Sequence, residues 1–313
     1  MRLRIGHLTT VYHTAFVLMG ANWVKERINI KTDWRLFPTG PHMIEAFFKG
    51  ELDLGYVGLP PAMIGIDKGL KIRCVAGGHM EGTVLVAEKS FQTLRELGTV
   101  NRVLSQFKGK VVGTPSKGSI HDVIMRWLIN KAKLQDDVIV KNFEWADFIL
   151  EAMEDNVVDC GCGTPSLAVL ASKSLNARIV LPPNVMWPQN PSYGIVATLK
   201  MIKNCPETLE DVLRLHEEAC NLIRREPHKA AEIAAEATGM VDKDFVLEVF
   251  KVSPKYCASL PEEYVESTLA FVPVLQRMRY ISKPLSKADI FQTDIIERIH
   301  VEKPHYNDPY MLE

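Results

Sequence analysis

The order of apolar and polar positions changes period several times along the chain. Residues 3–8 read as a first strand, and "RIGHLTT" (4–10) carries it into a polar loop. Over 12–28 the apolar residues Phe16, Met19, Trp23, Val24 and Ile28 fall at helical spacing. "TDWRLFPTG" (32–40) alternates again, with Trp34 and Leu36 on one side. "PHMIEAFFKGEL" (41–52) opens on Pro41, which suits a first helical turn, and Gly50 fits a C-cap. A short strand at 53–58, a helix at 61–70 and strands at 71–80 and 83–89 follow. The order βαβαβαβ predicts an α/β layer architecture with a largely parallel sheet.

After a polar helical stretch, "TLRELGTVNRVLSQF", the pattern restarts. "KGKVVGTPSKGSIHDVIMRWLINKAKL" (108–134) reads as strand, Gly-rich loop and helix. A strand at 137–145, a helix at 146–158, the strand end "DCGCG", the helix "PSLAVLASKS" and the strand "ARIVLPP" come next. "IVATL" after Gly194 reads as one more strand. From Pro206 onward helices dominate, at 206–226, 227–238, 241–251 and 261–279.

Two stretches show why the order repeats. "ELDLGYVGLPPAMIG" (51–65) and "NVVDCGCGTPSLAVLA" (156–171) each run from Asp through a Gly/Pro break into an apolar helix. Residues 3–65 and 110–171 thus describe two similar lobes, each offering loops at the carboxyl ends of its strands. Open α/β sheets bind ligands in that crevice. Two such lobes around a cleft form a hinge-closing ligand trap.

Composition narrows the function. The 313 residues are 47% hydrophobic and 24% charged, a globular balance long enough for about two domains. The net charge is −1 and Lys and Arg are dispersed, so no nucleic-acid footprint is present. No apolar run approaches the roughly 20 residues of a membrane span, so no direct membrane insertion is expected. "MRLRIGHLTTVY" lacks the apolar core of a signal peptide. As written this indicates a cytoplasmic protein, or an extracytoplasmic one from which a leader was removed. Six cysteines match neither a disulfide framework nor a paired zinc pattern, and read as buried thiols. Cys160 and Cys162 face one side of a strand end, but two donors are too few for a structural zinc. No cofactor is expected. No GxSxG elbow, P-loop, HExxH or GxGxxG is present.

"RIGHLTTVYHTAFVLMGANW", "FPTGPHMIEAFFKGELDLGYVGLPPAMI" and "KVVGTPSKGSIHDVIMRWLINKAKL" together resemble the substrate-binding proteins of ABC importers for nitrate, taurine and alkanesulfonates. That group extends to thiamin-pyrimidine-precursor binding proteins. The resemblance covers residues 1–200. It implies the two-lobed type II periplasmic-binding-protein fold, an α/β fold in which each lobe is a mixed sheet flanked by helices, with a helical C-terminal tail. Lobe one would comprise residues 1–87 and 194–313, lobe two residues 88–193, with crossings near 87 and 194. It implies a non-enzymatic solute-binding component that holds a small organic anion, sulfonate-like or related, and partners an ABC permease. The alternative is a cytosolic enzyme or sensor on the same fold, such as a thiamin-pyrimidine or menaquinone-pathway relative. The thiamin-pyrimidine synthase of this group carries a Lys and a His on the helix after the equivalent of "GYVG"; here "LPPAMIGID" has neither.

Candidate binding residues follow from both readings. Ser116, Gly118, Ser119 and His121 begin a helix whose unpaired N–H groups and dipole suit an anion. The alternative there is plain N-capping by Ser116 or Ser119. Ser119→Pro is expected to delete a backbone donor to the anion. Thr10, Tyr12 and His13 follow the first strand end, Tyr56, Gly58, Leu59 and Pro60 follow another, and His79 and Glu81 lie near the same end. The resemblance implies that these loops supply amides, hydroxyls and an apolar wall. From lobe two come Trp145, Cys162, Thr164, Trp187 and Tyr193, where an aromatic ring could sandwich the carbon part of a ligand or simply pack in the core.

Overall fold

Ten strands and eighteen helices run through residues 2–308, which the computed structural model describes. Residue 1 and residues 309–313, which the expected first lobe included, lie outside the described residues. The elements of the first half are β1 (Arg2–His7), α1 (Thr14–Gly20), α2 (Trp23–Ile28), β2 (Lys31–Leu36), α3 (Gly40–Phe48), β3 (Leu54–Val57), α4 (Leu59–Asp67), β4 (Ile72–Met80), β5 (Val84–Glu88), α5 (Leu94–Leu97) and α6 (Val100–Ser105). The second lobe continues with β6 (Val111–Pro115), α7 (Ile120–Lys131), β7 (Ile139–Phe143), α8 (Phe148–Glu154), β8 (Cys160–Gly163), α9 (Pro165–Leu175), β9 (Ala177–Leu181) and α10 (Pro183–Met186). The chain then forms β10 (Pro191–Thr198), α11 (Leu199–Asn204), α12 (Pro206–Arg225), α13 (Pro227–Thr238), α14 (Lys243–Val252), α15 (Glu262–Leu269), α16 (Phe271–Arg277), α17 (Lys287–Ile290) and α18 (Asp294–Ile299).

The repeat read from the sequence is visible in the sheets. Their orders are β2-β1-β3-β10-β4 and β7-β6-β8-β5-β9, so each position in one has a counterpart in the other. β1 pairs in parallel with β2 and β3, and β6 with β7 and β8. The fourth strand of each sheet is antiparallel and arrives from the other lobe: β10 beside β3, β5 beside β8. The sheets are therefore mixed. β3 and β8 are buried along their whole length because helices cover both faces, and "LGYV" and "CGCG" show no polar alternation.

These memberships shift the crossings from the expected positions near 87 and 194. β5 lies wholly in the second sheet and β10 wholly in the first, so the chain passes between lobes at 81–83 and 187–190. Both segments read as strands, but nothing local said which sheet they join. The two passages bond to each other. Glu81 N–H donates to Asn190 O at 2.8 Å, and the Glu81 carboxylate accepts Gln189 N–H at 2.9 Å and lies 3.1 Å from Lys255 Nζ. Glu81 (φ +61°) and Gln189 (φ +55°) both occupy the left-handed region, which sharpens each turn.

The helical tail does more than cover lobe one. Leu209, Val212, Leu213, His216, Ala219, Cys220 and Ile223 form the buried stripe of α12, which packs on α1 and α13. α14 lies against α9 of the second lobe, joined by Lys173 Nζ to Glu248 Oε1 at 2.9 Å. α16 touches α4 and α7, and the Phe271 ring stacks on Trp187 at 4.0 Å. Burying an aromatic side chain of this size is worth about 1.5–3 kcal/mol, so the tail contributes to the contact between lobes as well as the two strand crossings. The stretch 12–28, expected as one helix, breaks at Asn22 (φ +52°) into α1 and α2. Among the described residues no helix is long and apolar enough to cross a membrane.

Candidate functional site

Five strand-to-helix turns end at one place. The N-cap residues of α1, α3, α4, α7 and α9 are His13, Thr39, Gly58, Ser119 and Thr164, and all five line a single cavity between the lobes. The local sequence explains each start. Ser119 and Thr164 cap with their own hydroxyls, accepting Asp122 N–H and Leu167 N–H, each at 3.3 Å. α3, α4 and α9 carry Pro in the first turn, where no intrahelical donor is lost. His13, Thr39 and Gly58 make no side-chain cap bond. Each helix N-terminus carries roughly half a positive charge on its unpaired amides.

The cavity measures ≈ 40 Å³ of space for the centres of water-sized bodies. At about 10–15 Å³ of such space per water, it holds about three waters, the size of a small polar head group. Its wall carries hydroxyls, two imidazoles and apolar groups, and no Lys, Arg, Asp or Glu. Backbone amides at the helix starts are therefore the fixed positive partial charges on this wall.

Polar atoms on this wall remain uncommitted. Thr10 Oγ1 and His13 Nδ1 are buried without a hydrogen-bond partner. Tyr12 Oη lies 3.3 Å from Ser192 Oγ, and His121 Nδ1 lies 3.0 Å from Thr83 Oγ1. Burial, assisted by the neighbouring His79, His7, His121 and His216, holds His13 far below the usual imidazole range. Burial lowers His121 to about 4. Both rings are neutral near pH 7, each with one donor and one acceptor.

The start of α7 differs in detail from the sequence expectation. Ser119 N–H donates to Ser116 O at 2.9 Å, so it is committed to the turn. Gly118 adopts φ +83° and gives its N–H to Asp122 Oδ2 at 2.9 Å. Asp122 is fully buried. It also accepts from Arg126 Nε (2.7 Å), Asn142 Nδ2 (2.8 Å) and Tyr280 Oη (3.0 Å). Ile120 and His121, whose first-turn amides have no intrahelical acceptor, also line the cavity. Asp122 was missed as a site-shaping residue, although "SIHD" fits the Ser-x-x-Asp pattern of a helix start.

Of the expected residues, Thr10, Tyr12, His13, Gly58, Ser119, His121 and Thr164 come together on the wall. Ser116 stands at the rim, its Oγ 2.9 Å from Thr39 Oγ1. The others lie elsewhere. Tyr56 and Tyr193 form an aromatic floor below His13, the Tyr193 ring 3.9 Å from the His13 ring. His79 sits deeper, bonded through Nε2 to Ser253 O at 2.6 Å and lowered by burial to about 3. Leu59 and Pro60 are core residues of the first turn of α4. Gly118 faces the outer side of the α7 turn beside Ile64, and Glu81 ties the crossings. Trp145 is half-buried beside the wall residue Ala146. Cys162 packs beneath α7, its Sγ 3.7 Å from His121 O, and burial pushes its thiol up. Trp187 is enclosed by Trp127 and Phe271, with Nε1–H donating to Ser267 Oγ at 3.1 Å. Thr39 and Ser192, wall residues that the sequence did not single out, come from segments that look like ordinary loop and strand.

The model of the NMT1-like family matches residues 1–238. The chain belongs to that family. A protein of Brucella abortus (strain 2308), named as a candidate binding protein, is 23% identical over 244 residues, covering 74% of this chain and 70% of the relative. Among solved structures, the alkanesulfonate-binding protein of Xanthomonas axonopodis pv. citri bound to MOPS superposes with a TM-score of 0.78 at 17% identity, covering 93% of this chain and 98% of that one. The periplasmic aliphatic sulphonate-binding protein of Escherichia coli gives 0.77 at 18% identity, covering 100% and 95%. The periplasmic nitrate-binding protein of Synechocystis PCC 6803 gives 0.75 at 9% identity, covering 95% and 88%. At these identities the likeness shows the fold, and it is the two-lobed fold expected for this NMT1-like chain.

Proposed function

We propose that the chain is the solute-binding component of an ABC importer and holds a small organic anion, sulfonate-like or related, between its lobes. One observation carries this reading: five helix N-termini converge on a buried cavity whose wall has no charged side chain. Backbone amides at helix starts favour an anion without a fixed counter-charge, so the site can also release it. Thr10 Oγ1 and His13 Nδ1 are paid no partner by the protein, and a buried polar atom left so costs about 1–3 kcal/mol until a ligand or water satisfies it. The sulfonate- and nitrate-binding proteins that share this fold all take anions, which supports the same ligand charge here.

Ligand contacts from both lobes would favour the closed arrangement, with the passages at 81–83 and 187–190 as the hinge. The test is a thermal-shift panel of taurine, longer alkanesulfonates, nitrate, bicarbonate, pyrimidines and aromatic acids, run beside native mass spectrometry of the purified protein. A ligand at about 100 times its Kd adds roughly 2.7 kcal/mol of stability. A shift confined to anions is expected. A shift given only by neutral compounds, or by none of the panel, overturns the anion reading.

A further inference from the structure

Outside the cavity wall, the last described segment folds back over α12 and brings together residues of metal-binding chemistry. We propose that Cys257, His300, His305 and Glu217 form a zinc site that fastens the C-terminal segment to α12. Cys257 Sγ lies 3.2 Å from His300 Nε2, which lies 3.8 Å from Glu217 Oε1. One donor atom each from Glu217, His300 and His305 fall within 4.8 Å of one another. A tetrahedral zinc with bonds of about 2.0–2.3 Å separates its donors by roughly 3.3–3.6 Å. The Cys257–His300 and His300–Glu217 separations are already near these values, and side-chain rotation of His305 and Glu217 would bring the remaining donors onto one ion.

The surroundings suit a metal. The His305 ring is held through Nδ1 by Asp308 Oδ2 at 2.7 Å, the carboxylate–imidazole pairing that orients metal-binding histidines. Glu302 lies 3.3 Å from Nε2 of the same ring, and its exposed side chain is free to swing away. Cys257 Sγ receives His305 N–H at 3.4 Å and lies 3.0 Å from Ser259 Oγ. The Glu217 carboxylate is anchored by Ala258 N–H (2.9 Å) and Asn221 Nδ2 (3.0 Å), with the Arg224 guanidinium 3.7 Å away. Mixed thiolate, imidazole and carboxylate donors in a tetrahedral arrangement select zinc among the common divalent ions. On binding, the thiol loses its proton to solvent and an S–Zn bond forms, with no change of oxidation state. The donors come from α12, the loop after α14, the C-cap of α18 and the segment beyond it, so a bound ion would join four separate pieces of the chain.

The test uses the full chain. Protein stripped with chelator is incubated with zinc, passed through a sizing column and analysed for metal; a parallel sample takes cobalt(II) and is read by absorption. Expected is one zinc retained per chain, a rise in Tm, and visible cobalt bands with a sulfur-to-cobalt charge-transfer band. His305→Ala removes one proposed donor from a side chain that is 14% exposed, and circular dichroism checks that the variant folds. It should weaken zinc at least as much as the 10- to 100-fold typical of losing an outer partner. Cys257→Ser should abolish the charge-transfer band. Failure of the wild type to retain zinc overturns the proposal. So does equal retention by wild type and folded His305→Ala, which would place the metal on other residues.

Discussion

Thr39 Oγ1 of the first lobe lies 2.9 Å from Ser116 Oγ of the second, so the two halves touch directly across the cleft mouth. Thr39 Oγ1 also lies 2.8 Å from His42 Nδ1, and the far nitrogen of that ring is 3.8 Å from Glu144 Oε1. The mouth is thus closed by polar contacts. Each hydrogen bond of this kind is worth about 0.5–1.5 kcal/mol net, small enough for the cleft to reopen.

Thr39→Val should therefore open the ligand-free protein while leaving its stability nearly unchanged, because the Thr39 hydroxyl caps no amide of α3. The closed-to-open ratio should fall by about 2- to 12-fold. Small-angle scattering would record a larger radius of gyration than the wild type. An identical profile would mean that the helix contacts made by the tail, rather than the rim, hold the lobes together.

Ile120→Pro tests the source of the anion field. Position 120 is the first residue of α7, where proline keeps helical geometry but has no N–H, and Ser119 before it is already extended (φ −66°, ψ 160°), as a residue preceding proline must be. Ile120→Ala is the control for lost packing. If the amide donates to a bound anion, Pro should bind about 10- to 150-fold more weakly than Ala, the value of a hydrogen bond to a charged group. Calorimetric titration of taurine, or whichever anion the panel returns, reads the difference. Equal affinities for the two variants would remove this helix start from the site.

The same helix shows how far sequence reasoning reached. The Gly- and Ser-rich turn, the doubled strand-helix order and the strand-end loops were all legible, because each is a local pattern of period or turn chemistry. Which strand joins which sheet was not: β5 and β10 read as strands like their neighbours, and only tertiary pairing sends them across to the other lobe. The aromatic guesses divided the same way. A Trp in a loop has the same local signature whether it faces a ligand or, as Trp187 does, a Phe271 that follows 84 residues later (271 − 187). Thr39 escaped notice because its role depends on a partner in the other lobe. Asp122 was the avoidable omission, since its spacing from Ser119 is a sequence signal.

Asp122 should prove a stability residue that shapes the site without touching ligand. It is fully buried with bonds from Gly118, Arg126, Asn142 and Tyr280. Removing one partner of a buried ion pair costs about 3–5 kcal/mol, and the partly exposed Arg126 brings the expectation for Asp122→Ala to about 2–4 kcal/mol. Urea denaturation measures it. Below about 1 kcal/mol, the network at the α7 start would have to be judged marginal.

Acid should unfold the protein through its buried histidines. Burial lowers His79 to about 3, and His121 and His216 to about 4, and lowers His13 further than its neighbours alone would. Their unfolded value is about 6.5. The folded chain keeps these rings neutral while the unfolded chain takes up protons, so their contribution is complete above about pH 6.5 and is lost as pH falls towards 4. Each ring contributes a slope of about 1.4 kcal/mol per pH unit in that window, so His79, His121 and His216 together approach about 4. Against a total stability of about 5–15 kcal/mol, the urea midpoint should drop steeply between about pH 6 and pH 4.5. A midpoint that stays level down to about pH 4.5 would show that water or rearrangement reaches these rings and that they are not held neutral by burial.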